Sequence, residues 1–366
     1  MEQKTNWPGF EHGIGFGGWL TNYKRINDFP PEIKYRLTKG DWEHFNTHIR
    51  EEDVKYVAEC GFDHIRLCFD EYVLEESPYV YRDSIFSLMD QFISWCRKYG
   101  LNCVLNLHRG YGNAHDEPSP QIHLVDSPEM QKRFIALWVA CEKHWAHIPE
   151  LVFEPMNEPT IVDPEKWNDF MESLIQAIRA INPTRRIVMD CVQWSLPYTL
   201  PQQRVWDDPN IIYSFHFYFP HSFTHQRCAT MPDMRRYNRH MPYPGDIEYY
   251  RDFEHEINGN TNAYPEWKQM DKETLRNAMK PAIEFKKRHP DKILWLGEFG
   301  AITYAGLDYR INYFHDVIAL AKEYGFPYCV WNFYAAPSSF TFSLADLETR
   351  HIKSKRFLNT LLGKDE

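Results

Sequence analysis

The sequence contains no run of apolar residues as long as a membrane span, and its opening, Met1-Glu-Gln-Lys-Thr-Asn-Trp-Pro8, has no apolar core of the kind that directs export. The expectation is a soluble chain away from membranes, cytoplasmic, or secreted if a leader has been trimmed. Basic residues are nowhere concentrated. With a formal charge of −10 and a pI near 5.9, this excludes a nucleic-acid surface, which needs clustered Lys and Arg to displace counterions. The eight Cys form no CxxC and no regular framework. Cys60, Cys68, Cys96, Cys103, Cys141, Cys191 and Cys329 fall inside expected helices or strands, where Cys is ordinarily a small buried hydrophobe, so reduced thiols are expected. No Lys closes a strand-like run, which leaves a Schiff-base aldolase without its nucleophile. The histidines lack a ligand set at metal spacing, and no metal or cofactor is implied.

What is abundant is aromatic surface: 16 % of residues, with 12 Trp and 22 Tyr. Flat apolar faces with a polar handle suit sugar rings as well as cores. Short β-rich runs alternate with helical periodicity along the whole chain, near Ile14–Trp19, His64–Cys68, Cys103–Leu107, Leu151–Met156, Ile187–Asp190, Ile211–Phe217, Ile293–Leu296 and Tyr328–Asn332. Helical patterns lie at about 49–60, 84–99, 128–147, 164–181, 272–288, 308–324 and 351–362; the fifth connection has room for only a turn of helix. This pattern predicts an α/β fold, a single (β/α)₈ TIM barrel over 1–366 with its active site at the C-terminal strand ends. A doubly wound sheet would want a glycine-rich phosphate turn opening a helix, and Gly13-Ile-Gly15-Phe-Gly17-Gly18-Trp19 opens none. The irregular stretch 220–264 after the sixth strand reads as a functional insertion.

The residues that close the strands are Trp19, Arg66, His108, Asn157 with Glu158, Trp194 a little beyond the fifth, His216 with Tyr218, Glu298, and Trp331. Each alone has a structural explanation: Arg66 as an ion pair with Asp70 or Glu71, the histidines as core imidazoles, Trp331 as packing. Together at barrel strand ends they point to chemistry. Two glutamates facing each other across roughly 5 Å form the pair that hydrolyses a glycosidic bond with retention. One attacks the anomeric carbon and must be ionised, a form favoured by Arg66 and Tyr218. The other must begin protonated, then act as base once its partner's charge is lost to the ester. Asn157 is placed to bond a sugar 2-OH, and Trp331 to take the apolar face of a ring.

The segments Gly15-Phe-Gly-Gly-Trp19-Leu, Gly61-Phe-Asp-His-Ile-Arg66, Val104-Leu-Asn-Leu-His108, Phe153-Glu-Pro-Met-Asn157-Glu158-Pro159, Ser214-Phe-His216-Phe-Tyr218, Gly297-Glu298-Phe-Gly300 and Trp331-Asn-Phe occur in this order. The chain thereby resembles glycoside hydrolase family 5, the retaining (β/α)₈ glycosidases that include cellulases, β-mannanases and exo-β-glucanases. The resemblance implies Glu158 as acid and base, Glu298 as nucleophile, and Arg66, His108, Asn157, His216, Tyr218 and Trp331 around them. The fifth strand, Val188-Met-Asp-Cys-Val-Gln-Trp194-Ser, departs from the pattern of a typical cellulase.

For substrate, the expectation is a short β-1,4-linked gluco- or manno-oligosaccharide cut from chain ends, with His221, His225, Gln226, Arg227 and Tyr243 of the insertion walling off one end of the cleft. A β-mannosidase acting on Manβ1,4GlcNAc or manno-oligosaccharides, an endo-acting cellulase or mannanase, and a noncatalytic carbohydrate-binding relative are the alternatives.

Overall fold

Alternation along a strand sends successive side chains to opposite faces, so a barrel strand buried on both faces is apolar outward and free to be polar inward. Eight such strands occur in the computed structural model, which describes residues 7–24, 31–113, 124–161, 163–334 and 341–364. They are β1 (His12–Leu20), β2 (His64–Asp70), β3 (Asn102–Arg109), β4 (Val152–Glu154), β5 (Arg186–Asp190), β6 (Ile211–His216), β7 (Leu294–Phe299) and β8 (Tyr328–Val330). All pair in parallel with their sequence neighbours, and β8 pairs with β1, so the sheet is a closed barrel. The (β/α)₈ expectation holds. The fourth strand ends at Glu154, two residues before Met156, although the Asn157 N–H still bonds to Leu107 O at 2.9 Å.

The packing helices are α1 (Glu51–Cys60), α2 (Asp83–Lys98), α3 (Pro128–Trp145), α4 (Pro164–Arg179), α5 (Ile247–Asn258), α6 (Lys272–Arg288), α7 (Leu307–Tyr324) and α8 (Lys355–Leu361). Their starts are chemically marked. Asp163 accepts the backbone N–H groups of Glu165 and Lys166 ahead of Pro164, and Asp271 does the same for Glu273 and Thr274. Among the described residues no helix is long and apolar enough to cross a membrane. All eight cysteines are free.

The expected irregular insertion is largely ordered structure. It holds one-turn and two-turn helices at His221–Thr224 and Pro232–Tyr237 and the twelve-residue α5, whose Tyr250 and Phe253 join the main core. The density of Pro, His and Arg obscured the apolar spacing of α5. A helix at Lys39–Thr47, capped by Thr38, also escaped the sequence reading because its charges mask Asp41 and Phe45, its two buried positions.

Inside the barrel two layers form. The lower is apolar: Val104, Val152, Val188, Ile212, Trp295 and Cys329 pack together, plugged from below by the stacked rings of Trp7 and Phe10 at 4.2 Å. The upper layer is polar: Asn106, Glu154, Asp190 and Ser214, each two residues beyond an apolar member of the lower layer, are buried together with Arg66 of β2 and His216 at the end of β6. At the opposite end of the barrel, just before β5, Arg185 is also fully buried. It bonds Glu142 at 2.6 and 3.1 Å and the carbonyls of Trp145, Ile148 and Leu151, tying the end of α3 to the barrel floor.

Removing one partner of a buried ion pair strands the other charge. Arg185→Met should therefore lower the unfolding free energy in urea titration by about 3–5 kcal/mol. The double variant Arg185→Met/Glu142→Leu should recover most of that loss; if it is no more stable than the single variant, the loss came from packing and not from the stranded carboxylate.

Candidate active site

The polar layer is organised by one guanidinium. Arg66, fully buried on β2, places Nε and Nη2 on the two oxygens of Glu154, both at 2.7 Å. Nη1 reaches Glu298 Oε2 at 2.5 Å and Nη2 also reaches Asn157 Oδ1 at 2.7 Å. The alternative pairing with Asp70 or Glu71 is not the one formed: Asp70 accepts the Thr21 hydroxyl, and Glu71 accepts the Tyr35 hydroxyl and pairs with Lys34. Burial opposes its charge, but Glu154 and Glu298 outweigh that and hold Arg66 well above its ordinary pKa. Burial likewise pushes Glu154 up to about 8, with Arg66 opposing and Asp190 and Glu298 adding.

Glu298 comes from β7, where strict alternation would turn it outward with Leu296. The register slips between Leu296, opposite Phe215, and Glu298, opposite His216, so that one extra residue, Gly297, stands in the strand. This bulge re-aims the carboxyl inward. Glycine keeps the bulge uncrowded: a Cβ on Gly297 would lie 2.5 Å from Ser214 Oγ and would push that hydroxyl aside. The second Glu298 oxygen accepts the Tyr218 hydroxyl at 2.7 Å. Burial raises the Glu298 pKa and the nearby Glu158 adds to this, while His216, Arg66 and the Tyr218 hydrogen bond pull it back.

Glu158 follows β4 on a tight turn, with a left-handed φ of 44°. Asn113 holds that turn by donating to the carbonyls of Asn157 and Glu158 and accepting from Thr160 N at 2.7 Å. Asp190 Oδ2 accepts the Glu158 N–H at 3.2 Å. The Glu158 carboxyl lies 2.8 Å from His216 Nδ1 and faces Glu298, with an oxygen of each within 4.8 Å. That spacing belongs to retaining hydrolysis; an inverting pair leaves room for a water and stands roughly 6.5–9.5 Å apart.

Trp331, at the end of β8, stacks on His108 at 5.4 Å with rings 5° from parallel. His108 is itself held by Asn106 Oδ1 at 2.9 Å. The glycines of β1 make the floor for the indole: a Cβ at Gly15 or Gly17 would stand 2.7 or 2.5 Å from Trp331 ring atoms. Asn157 Nδ2 is buried and has no partner among the described residues, a donor available to a ligand.

Eight of the ten expected site residues thus converge: Arg66, His108, Asn157, Glu158, His216, Tyr218, Glu298 and Trp331. Trp194 stands on the rim, 44 % exposed, and its backbone N–H donates to Pro159 O at 3.1 Å, so it borders the Glu158 turn. Trp19 does not belong to the site. It is 1 % exposed among the core residues outside the barrel and donates its indole N–H to Phe45 O at 2.8 Å. Sequence reading missed Glu154, Asp190 and Asn113. Alternation from Val152 and Val188 marks the first two as inward acids; nothing local marks Asn113.

Among the described residues, Glu154, Asp190 and His216, or Glu158, His216 and Glu298, are grouped closely enough to hold a cation. The Arg66 guanidinium already supplies positive charge to Glu154 and Glu298. A lysine could not span four oxygens from three side chains. Arg66→Lys should therefore cut kcat/KM on an aryl β-glycoside by about 10²–10³-fold, and a loss under tenfold would show that the fork is dispensable.

Comparison with known proteins agrees with this geometry. Residues 9–337 match the family model described as cellulase (glycosyl hydrolase family 5). Endoglucanase C of Acetivibrio thermocellus is 35 % identical over 329 residues, covering 88 % of this chain and 91 % of the relative. Cellodextrinase A of Ruminococcus flavefaciens is 26 % identical, covering 96 % and 95 %. Among solved structures, Thermotoga maritima Cel5A in complex with cellobiose superposes with a TM-score of 0.73 at 23 % identity, covering 96 % of this chain and 97 % of that one. The chain therefore belongs to the cellulase family, glycosyl hydrolase family 5, and is a retaining β-glycoside hydrolase.

Proposed function

We propose that this enzyme hydrolyses β-1,4-linked glucan chains and cello-oligosaccharides, cutting within the chain, with Glu298 as nucleophile and Glu158 as acid and base. The observation that carries the mechanism is the approach of the two carboxyls within 4.8 Å on adjoining sides of His216. Glu298 attacks the anomeric carbon from a carboxylate steadied by Arg66 and Tyr218, while Glu158 gives its proton to the leaving oxygen. Once Glu298 is esterified its charge is gone, and Glu158 takes a proton from the water that opens the ester. Asn157 Nδ2 supplies a donor to the sugar 2-OH, and Trp331 supplies the ring platform.

The glucan assignment draws on the similarity to endoglucanase C. Internal cleavage draws on the rim. Trp194 lies beside the Glu158 turn, on the leaving-group side, and Tyr198 stands near it, 54 % exposed, its hydroxyl on Gln193 at 2.9 Å. Two exposed aromatics there favour more than one sugar beyond the scissile bond. The chain-end expectation loses part of its support, because two of the side chains it invoked serve to hold the insertion in place. Gln226 is bonded to the backbone of Met241, and buried Tyr243 donates to Asp316 of α7. His225 of that group reaches the site, with its ring 5.1 Å from Tyr218, and His221 packs against it at 3.9 Å.

Glu298→Ala should abolish turnover on every substrate. Glu158→Ala should lose about 10²–10⁴-fold on cello-oligosaccharides but far less on a dinitrophenyl cellobioside, and azide should restore activity with a β-glycosyl azide as product. Equal loss on both substrates without azide rescue would reverse the assignment. Trp194→Ala should weaken cellotetraose hydrolysis by about tenfold, equivalent to one stacking contact of about 1.4 kcal/mol, while aryl cellobioside is nearly unaffected. Viscosity of a soluble glucan should fall ahead of reducing-sugar release; single sugars released without viscosity loss, or faster cleavage of mannan, would replace the substrate reading.

A further inference from the structure

Asp190 ends β5, is 1 % exposed, and takes no part in the mechanism above. Its Oδ2 accepts the Glu158 N–H at 3.2 Å and lies 3.7 Å from His216 Nε2. The other ring nitrogen, Nδ1, is 2.8 Å from Glu158 Oε1. The His216 ring therefore stands between two carboxyl groups, one of them the general acid. Neither His216 Nε2 nor Asp190 Oδ1 has a hydrogen-bond partner among the described residues.

A neutral imidazole carries one N–H, and its position decides what the ring offers Glu158. Burial lowers the His216 pKa and Arg66 adds to this, while Asp190 and Glu298 oppose, so the ring is held toward the neutral form. With the proton on Nδ1, the Nε2 lone pair would face the Asp190 carboxylate, acceptor against acceptor in a buried site. With the proton on Nε2, the N–H dipole points into the field of that carboxylate and Nδ1 is left as an acceptor. An acceptor at 2.8 Å favours the protonated form of the Glu158 carboxyl.

We propose that Asp190 is a positioning residue for the general acid, holding His216 in its Nε2–H tautomer so that Nδ1 accepts the Glu158 proton in a hydrogen bond. Through the Glu158 N–H it also secures the left-handed turn that aims the carboxyl at Glu298. The ring itself neither gains nor loses a proton: as the glycosidic C–O bond breaks, the Glu158 proton leaves its hydrogen bond to Nδ1 and passes to the leaving oxygen, forming the O–H of the leaving sugar and leaving Glu158 as a carboxylate.

The other charged groups facing this pair cannot substitute. Glu154 lies in one cluster with Asp190 and His216, but both of its oxygens are on Arg66. Glu298 is taken by Arg66 and Tyr218. Asp190 is the acid whose position in the structure addresses Nε2.

This inference rests on Glu158 being the acid and base, and the test separates the two. In the wild type, the basic limb of kcat/KM should appear with cellotetraose and be weak or absent with dinitrophenyl cellobioside, whose leaving group needs no proton. If both substrates show the same limb, Glu158 is not the acid and both readings fall. In Asp190→Asn the amide can donate to Nε2 and drive the proton to Nδ1, which then donates to the Glu158 carboxylate. The basic limb on cellotetraose should move to lower pH by about one unit, with the dinitrophenyl profile unmoved. A unchanged limb, or an equal loss on both substrates at every pH, would reduce Asp190 to scaffold and overturn the proposal. Should Asp190→Asn fail to fold, the tautomer is read directly in the wild type by ¹⁵N–¹H long-range NMR of His216, assigned against His216→Gln. Nε2–H is expected, and Nδ1–H would overturn the proposal.

Discussion

The site depends on a single positive charge inside the barrel. Arg66 is fully buried and touches the carboxyls of Glu154 and Glu298 and the amide of Asn157, and through Glu298 it also reaches Tyr218. An isolated charge at that depth would be prohibitively costly, as would Glu298 alone. Their mutual satisfaction makes the polar layer possible, and the planar fork fixes orientation as well as charge. Asn157 is held by the same guanidinium, so the strand that carries Glu158 and the strand that carries Glu298 are set relative to each other through Arg66.

Around that charge the barrel solves a placement problem with two local distortions. Glu298 reaches the interior only because β7 bulges at Gly297, and Glu158 faces it only because the chain turns through a left-handed residue after β4. Such conformations persist where surrounding contacts over-determine them. Here those contacts are Asn113 and Asp190 for the turn, and Arg66 and Tyr218 for the bulged carboxyl.

The two layers of the interior divide the work. The lower, packed by Trp7, Phe10 and the inward aliphatics, keeps water from the underside of the polar layer and keeps its electrostatics strong. The upper layer gathers the polar groups of the site, and the exposed aromatics Trp194 and Tyr198 stand at the rim above it. Gly15 and Gly17 of β1 are the bed on which Trp331 lies.

The alternation of strand and helix patterns was legible from the residues alone, because hydrophobic burial imposes its period on any chain that folds into βα units. The pairing of Glu158 with Glu298 is an expectation drawn from two acids closing apolar runs among other polar strand ends, and the structure does bring their carboxyls together. The sequence could not separate Trp19 from Trp331: both end a barrel strand, and only the β1 packing, which turns Trp19 outward to Phe45, distinguishes them. Nor could it choose the partner of Arg66, where nearby Asp70 and Glu71 compete on paper with Glu154 and Glu298, 88 and 232 residues away. Local order in a chain follows from its own side-chain pattern. Which distant charges meet follows from register and closure of the barrel, and those exist only once all eight strands have paired.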